Sequence, residues 1–284
     1  MSGATAAPKP EVLRRQLSRL KTIPTLPGFL DRVVTALDDP EIDFDHVADL
    51  IEIDQALTSQ ILRLANSAFY SAQGTVSRVS QALLMLGCVV TRSLVLSTGV
   101  LDIRKVALKG FWEHSLGCAV AAGAISKVTK KGSPEEVTAA GLLHDLGKVV
   151  LCKELPEAFE LITTKASDER RAFREVEREV LTVDHCDIAA WLVEKWRFPP
   201  CLAEPIVFHH TPTYARRAAD ETAIVHVANV LVRALNYGCG GDPRIPAIEP
   251  RAWQRLGLTG MLLDDVLEQY EADLDHALNY AFFD

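Results

Sequence analysis

Apolar residues recur three and four positions apart along this chain, and no β-branched alternating run bounded by hairpin turns breaks the pattern. That period lines one face of a helix, whereas a strand needs alternate residues on opposite faces. The sequence therefore predicts an all-α fold. Residues 11–20, EVLRRQLSRL, put Val12, Leu13, Leu17 and Leu20 on one stripe, and Pro24 and Pro27 stop that helix. FLDRVVTAL runs to Leu37, and Asp43 or Asp45 can cap a helix through HVADLIEI. Asp54 can cap QALTSQILRLAN, and Ser77 can begin RVSQALLML, with Gly87 as a left-handed stop before a helix through TRSLVLSTGVLD. Residues 11–105 are thus expected to form a lobe of short helices behind a flexible tail, 1–10.

A second lobe is expected over 106–284. Its opening helix, FWEHSLGCAVAAGAIS, is rich in Ala and Gly, which suits close packing on all sides. Ser133 and Pro134 mark the N-cap and first position of the next helix, which the periodicity carries without a break through EEVTAAGLLHDLGKVVL. The charged stretch KASDERRAFREVEREV, residues 165–180, reads as a solvated helix face. Further helices are expected over CDIAAWLVEKW, from Pro199 to the His209–His210 pair, over ADETAIVHVANVLVRAL and over DDVLEQYEADLDHAL.

Composition narrows the functional classes. At 284 residues, 48% of them hydrophobic and 24% charged, the chain is long enough for a large core or two lobes. A net charge of -8 disfavours phosphate neutralisation, so nucleic acid is not an expected partner. The start, MSGATAAPKPEV, lacks the apolar segment of a secretory signal, and the richest apolar run, ALLMLGCVV, is too short to span a bilayer. The six cysteines form no CxxC pair and read as reduced thiols of a cytoplasmic protein, with no expectation that they ligate metal.

The chemistry is concentrated in histidine. In chain order come His114, His144 beside Asp145, His185, and the pair His209 and His210. Neutral imidazoles with a carboxylate suit Mn, Fe, Zn or Ni as a divalent ion, and two such ions could activate water against a phosphoester. Each residue also has an ordinary alternative. His114 and His185 could be hydrogen-bonded core histidines, His209 and His210 could face a helix C-terminus, and Asp145 could pair with Lys148 at i+3 for about 0.2–0.5 kcal/mol. Clustering in one lobe favours a shared site.

That order resembles the HD superfamily of metal-dependent phosphohydrolases. Together with TIPTLPGF, DQALTSQILRLANSAFY, VSQALLMLG, FWEHS, GLLHDLGK, DHCDIAAWLVEKWRFP and IVFHHTP, it resembles HDOD proteins, the HD-related output domains of bacterial signalling, over residues 11 to about 235. The resemblance implies a two-lobed helical architecture with an HD-like second lobe and a regulatory role through a protein partner or small ligand. The alternative it implies is a metal-dependent phosphohydrolase or phosphodiesterase. In that case His114, His144, Asp145, His185, His209, His210 and Asn229 would surround the metal and Lys148 would meet phosphate. Two departures weigh against hydrolysis. Asn229 stands where the superfamily has another metal-binding aspartate, removing a full charge, with His226 one turn away as either a substitute ligand or a core residue. The paired histidines continue as HHTPTYARRA and not into the Gly-rich GYP element of cyclic-dinucleotide phosphodiesterases. The chain shows no receiver, kinase, GGDEF or EAL segment, so input is expected in trans from a signalling protein.

Overall fold

A computed structural model describes residues 28–53, 57, 58, 61, 62, 65, 76–100 and 106–281, less the side chains of 28, 29, 89, 96–100 and 276–281. The expected helix over 11–20 and the tail lie outside the described residues, as do most of the expected helix over 55–66 and of the stretch LANSAFY, residues 64–70, in which only 57, 58, 61, 62 and 65 are described. Among the described residues there are thirteen α-helices, one short 3-10 turn and no strand. The all-α expectation holds.

The first helices begin where their caps predict. Helix α1 spans Gly28–Leu37 and α2 spans Phe44–Glu52, with the Asp43 carboxylate accepting from the backbone N–H groups of Asp45 and His46. Helix α3, Val79–Val100, is interrupted at Gly87, whose φ of 73° takes it out of the helical region. These helices pack on one another through Leu30, Val33, Val47, Ile51, Leu83 and Leu86, all buried. Arg92 on α3 places Nε 2.9 Å from Asp38 and donates from Nη1 to the Trp196 carbonyl at 3.0 Å.

Helix α4, Phe111–Thr129, is the central rod. Gly117, Ala119, Ala121, Ala122, Gly123 and Ala124 keep it thin, and it is buried along most of its length. It packs against three others: α5, Pro134–Leu143; α11, Ala219–Ala234; and α13, Gly260–Ala281. Ser133 caps α5 through the Glu136 N–H, with Pro134 in its first turn, as the sequence predicts.

Between α5 and α11 run α6, Leu146–Glu154; α7, Pro156–Asp168; α8, Phe173–Leu181; α9, His185–Lys195; and α10, Pro200–Phe208. A 3-10 turn at Pro212–Tyr214 follows, and α12, Pro250–Leu256, sits between α11 and α13. Two expectations are corrected here. The single helix through GLLHDLGKVVL is two helices, broken at His144 and Asp145, because Gly147 is pressed against the His185 carbonyl so closely that a Cβ would stand 1.9 Å from that oxygen. The stretch 165–180 is likewise broken, between Asp168 and Phe173, and α8 is not a solvated face alone. Its outer side carries Glu175 and Glu179 in ion pairs with Arg171, but Phe173, Val176 and Glu177 are buried.

Candidate functional site

The break between α5 and α6 makes the site. His144 ends one helix and Asp145 precedes the other, so two adjacent side chains leave the backbone from a corner and point into one space. Four more helices converge there. Helix α4 brings His114, α9 begins with His185, and the end of α10 brings His209 and His210. Helix α8 brings Glu177. His114, His144, Asp145, Lys148, Glu177, His185 and His209 are each 2% exposed or less.

Asp145 is the hub. Its Oδ2 accepts from Lys148 Nζ at 2.7 Å and lies 3.4 Å from His144 Nε2 and 3.9 Å from His114 Nε2. Its Oδ1 lies 3.4 Å from His185 Nε2 and 3.7 Å from His209 Nε2. Lys148 also donates to the Gly240 carbonyl at 2.7 Å and sits 5.2 Å from the centre of the Phe173 ring.

Three imidazoles are held from behind. His144 Nδ1 faces the Gly141 carbonyl at 2.7 Å, His209 Nδ1 faces the Ile206 carbonyl at 3.0 Å, and His185 Nδ1 faces Glu177 Oε2 at 2.6 Å. A carbonyl or carboxylate can only accept, so each Nδ1 carries the hydrogen; Nε2 offers a lone pair where the ring is neutral, and at His185, which Glu177 biases toward the charged form, only once a cation displaces that proton. This is how metal-ligating histidines are oriented. The converging atoms are then nearly all acceptors, and His144 Nε2 and Asp145 Oδ1 have no hydrogen-bond partner although both are buried. A buried gathering of lone pairs is costly unless a cation or a hydrogen donor meets it. The residues therefore fit a divalent ion, which would satisfy both orphaned atoms.

Charge follows the same geometry. Burial opposes ionisation of Asp145, but the Lys148 ammonium and the imidazoles around it outweigh burial and hold its carboxyl well below the usual carboxylate range. Burial also opposes a charge on His185, yet Glu177 overrides it and raises that imidazole well above its ordinary value. His114, His209 and His210 go the other way. Burial, then the neighbouring imidazoles, pushes each well down, so they stay neutral.

The remaining candidates sort clearly. His210 is half-buried, with its ring 4.2 Å from that of His209 and 5.1 Å from that of His185. Asn229 is buried on α11 with no hydrogen-bond partner for Oδ1. His226 is used up structurally: Nδ1 donates to the His209 carbonyl at 2.7 Å and Nε2 accepts from the Glu249 N–H at 2.8 Å, leaving no lone pair for a metal.

Several contributors were not anticipated. Glu177 lies in a run of charges, and its only sequence signal is its place beside Phe173, Val176 and Leu181 on the apolar stripe of α8. Asp184 caps α9 in a reciprocal capping box with Asp187 and takes Arg174 and Arg178 as ion-pair partners, which fixes where His185 starts. The loop after α11 closes the site. Gly238, at φ +72°, approaches α4 so tightly that a Cβ would fall 2.2 Å from the His114 nitrogen, and the Cys239 N–H donates to the Gly110 carbonyl at 2.8 Å. Arg233 holds the far side of that loop through Asp242 at 2.6 Å.

This arrangement and its order along the chain can be set beside known proteins. The HDOD domain family matches residues 23–212. The chain belongs to the HDOD family. An uncharacterized protein of Treponema pallidum (strain Nichols) is 26% identical over 223 residues, which is 77% of this HDOD chain but 44% of that relative's length, so the chain spans less than half of it. The crystal structure of a Geobacter sulfurreducens HDOD domain protein of unknown function is 26% identical, with a TM-score of 0.70 over 96% of this chain and 97% of that one. A Marinobacter aquaeolei VT8 protein, described as a candidate signal transduction protein, shares the HDOD chain's fold at 19% identity. Its TM-score is 0.66 over 98% of this chain and 68% of that one. No helix among the described residues is long and apolar enough to cross a membrane.

Proposed function

We propose that this chain is a regulatory HDOD module that does not turn over substrate and acts by binding a signalling protein in trans or a small ligand. The observation that carries this reading is the closure of the histidine cluster. Asp145 and the imidazoles around it are buried, and the Lys148 ammonium that would meet a phosphate is engaged by Asp145 and the Gly240 carbonyl. For a phosphoester to meet the Lys148 ammonium, Lys148 would have to give up both acceptors, one of them in the 238–242 loop. Asn229 adds to this, since it withholds the second carboxylate that a hydrolytic site of this superfamily would use.

The second reading, a metal-dependent phosphohydrolase, is favoured by the three Nδ1-anchored imidazoles. Assays against phosphate monoesters, diesters and cyclic nucleotides with added Mn²⁺, Fe²⁺, Zn²⁺ or Ni²⁺ separate the two. The regulatory reading expects no turnover above that of an Asp145→Asn variant, and affinity capture that recovers a signalling protein. Robust turnover lost in Asp145→Asn overturns it.

A further inference from the structure

Outside the histidine cluster, and lined by none of its members, lies a cavity of about 330 Å³. Small-molecule sites span about 300–1,000 Å³, so it suits a compact ligand. Its walls are the loop that follows α11, the end of α7 and Leu108. That loop is pinned from behind. Asp242 is its one carboxylate, and both oxygens are spent: Oδ1 accepts from Arg233 Nη2 at 2.6 Å and from the Arg244 N–H at 2.8 Å, and Oδ2 accepts from the Phe173 N–H at 2.9 Å. Gly241, at φ +109°, lies so close to Phe173 that a Cβ would stand 2.7 Å from the ring. Walls already fixed in this way cost little further ordering when a ligand enters.

The donors that line the cavity are not spent. Every side-chain hydrogen bond of Arg233 leaves from Nη2, to Asp242 and to the Arg244 carbonyl, and Nη1 makes none. The Arg244 guanidinium, the Ser167 hydroxyl and the Asn236 amide belong to exposed residues and have no side-chain hydrogen bond among the described residues. Two guanidinium groups against one carboxylate leave a surplus positive charge in the wall. Leu108, Pro243 and Ile245 add an apolar part, with Ile245 57% exposed. Guanidinium forks select carboxylate and phosphate oxygens, and apolar lining selects an organic body. A neutral solute would leave the charge unmet, and a bare inorganic ion would leave the apolar part wet.

Gly240 is the partition between this cavity and the histidine cluster. Its carbonyl accepts from Lys148 Nζ at 2.7 Å, and a Cβ added to it would fall 3.0 Å from Arg233 Nη1 and 3.4 Å from His114 Nε2. We propose that the 238–245 cavity binds a small organic anion, with its carboxylate or phosphate head on Arg233 and Arg244 and its apolar body against Leu108, Pro243 and Ile245, and that occupancy is passed through Gly240 to Lys148. An anion that draws Arg233 Nη1 toward itself takes the guanidinium off Gly240, and the carbonyl that holds Lys148 shifts with it. The proposal deepens the regulatory reading by naming the class of its small ligand, and rests on that reading for what the occupancy is used for. Phosphoester turnover lost in Asp145→Asn would overturn that reading and leave the anion site in place. Absence of anion binding would remove the site and leave a protein partner as the signal.

The test is calorimetric titration of the full chain with phenyl phosphate, benzoate, phenol and inorganic phosphate. Phenyl phosphate or benzoate should bind once per chain at millimolar concentration or below, the tighter of the two identifying the head group, and phenol and inorganic phosphate should bind more weakly. Arg244→Gln should weaken binding at least about tenfold, the worth of one charge-assisted hydrogen bond. Ser167→Phe, at an exposed residue of the lining, should fill the cavity and abolish binding. Neither variant touches the core, so the Tm of each without anion should match that of the wild type. Nitrogen resonances of His114 and His144 should shift on binding in the wild type and stay still in Ser167→Phe. No saturable binding of either organic anion, phenol or inorganic phosphate binding as tightly, or binding indifferent to both variants would each overturn the site. Binding that leaves the histidine resonances unmoved would overturn the link through Gly240.

Discussion

Replacing Gly147 by alanine tests whether close packing of α6 on α9 sets the site. In an exposed helix the change would stabilise by up to about 1 kcal/mol through helix propensity. Here the added Cβ would meet the His185 carbonyl oxygen at 1.9 Å and its carbon at 2.7 Å. Neither is the movable end of a side chain, so the helices must separate by about 1 Å in an interior that is packed like a crystal. Overpacking of this kind costs about 1–3 kcal/mol, and a backbone obstacle belongs at the upper end. After the propensity gain, a net loss of about 2 kcal/mol remains, or roughly 4–8 °C in Tm for a chain of this size. The same separation carries His185 away from Asp145, so metal retention should fall with Tm. Thermal unfolding followed by circular dichroism, with Gly260→Ala as reference, is the assay. A Cβ added at Gly260 would meet nothing within 4 Å, and this variant should be neutral or slightly stabilised. If Gly147→Ala behaves like Gly260→Ala, the packing account of the helix break is wrong.

Other outcomes follow from the same geometry. His114, His209, His210 and His226 are all held below their ordinary values, chiefly by burial, so in chelator the unfolded chain binds more protons below about pH 6.5. Each should remove up to about 1.4 kcal/mol per pH unit as pH falls from there. His185 is raised, so its contribution is full below about pH 6.5 and is lost as pH rises through its folded value. Urea unfolding from pH 7 to 5 should therefore show falling stability, with a shallower slope in His210→Gln. Lys148→Met leaves Asp145 and the Gly240 carbonyl without their donor in a buried place, and should cost about 3–5 kcal/mol by the same assay. Asn229→Asp should lower Tm in chelator by adding a buried negative charge, and the loss should shrink when a divalent ion is added. Metal that binds only the folded chain at a hundredfold excess over Kd should add about 2.7 kcal/mol, removed by chelator.

What the sequence disclosed was local. Asp43, Ser133–Pro134 and Gly87 announce helix starts and a stop through their own backbone chemistry, and the described residues obey them. The order of histidines pointed to one site because each lies in, or at the end of, a helix whose period is legible. The helix break at His144 and Asp145 was not legible, since neither residue is a breaker and its cause is the carbonyl of a residue 38 positions on from Gly147. Glu177 was hidden by charged neighbours, because only tertiary packing decides which carboxylate of such a run turns inward. Helix α12 and the closing loop at 238–242 are short and rich in turn residues, and their positions depend on contacts with α4 and α11.

The Arg92 contact reaches further than its two bonds. The carbonyl it holds, at Trp196, immediately follows α9, and His185 is the first residue of that helix. Eleven residues make a stiff strut about 16 Å long. A partner that levers α3 away from α9 would thus pull on the far end of a rod whose near end is a ligand candidate, so mechanical load on one face of the molecule has a direct line to the histidine cluster.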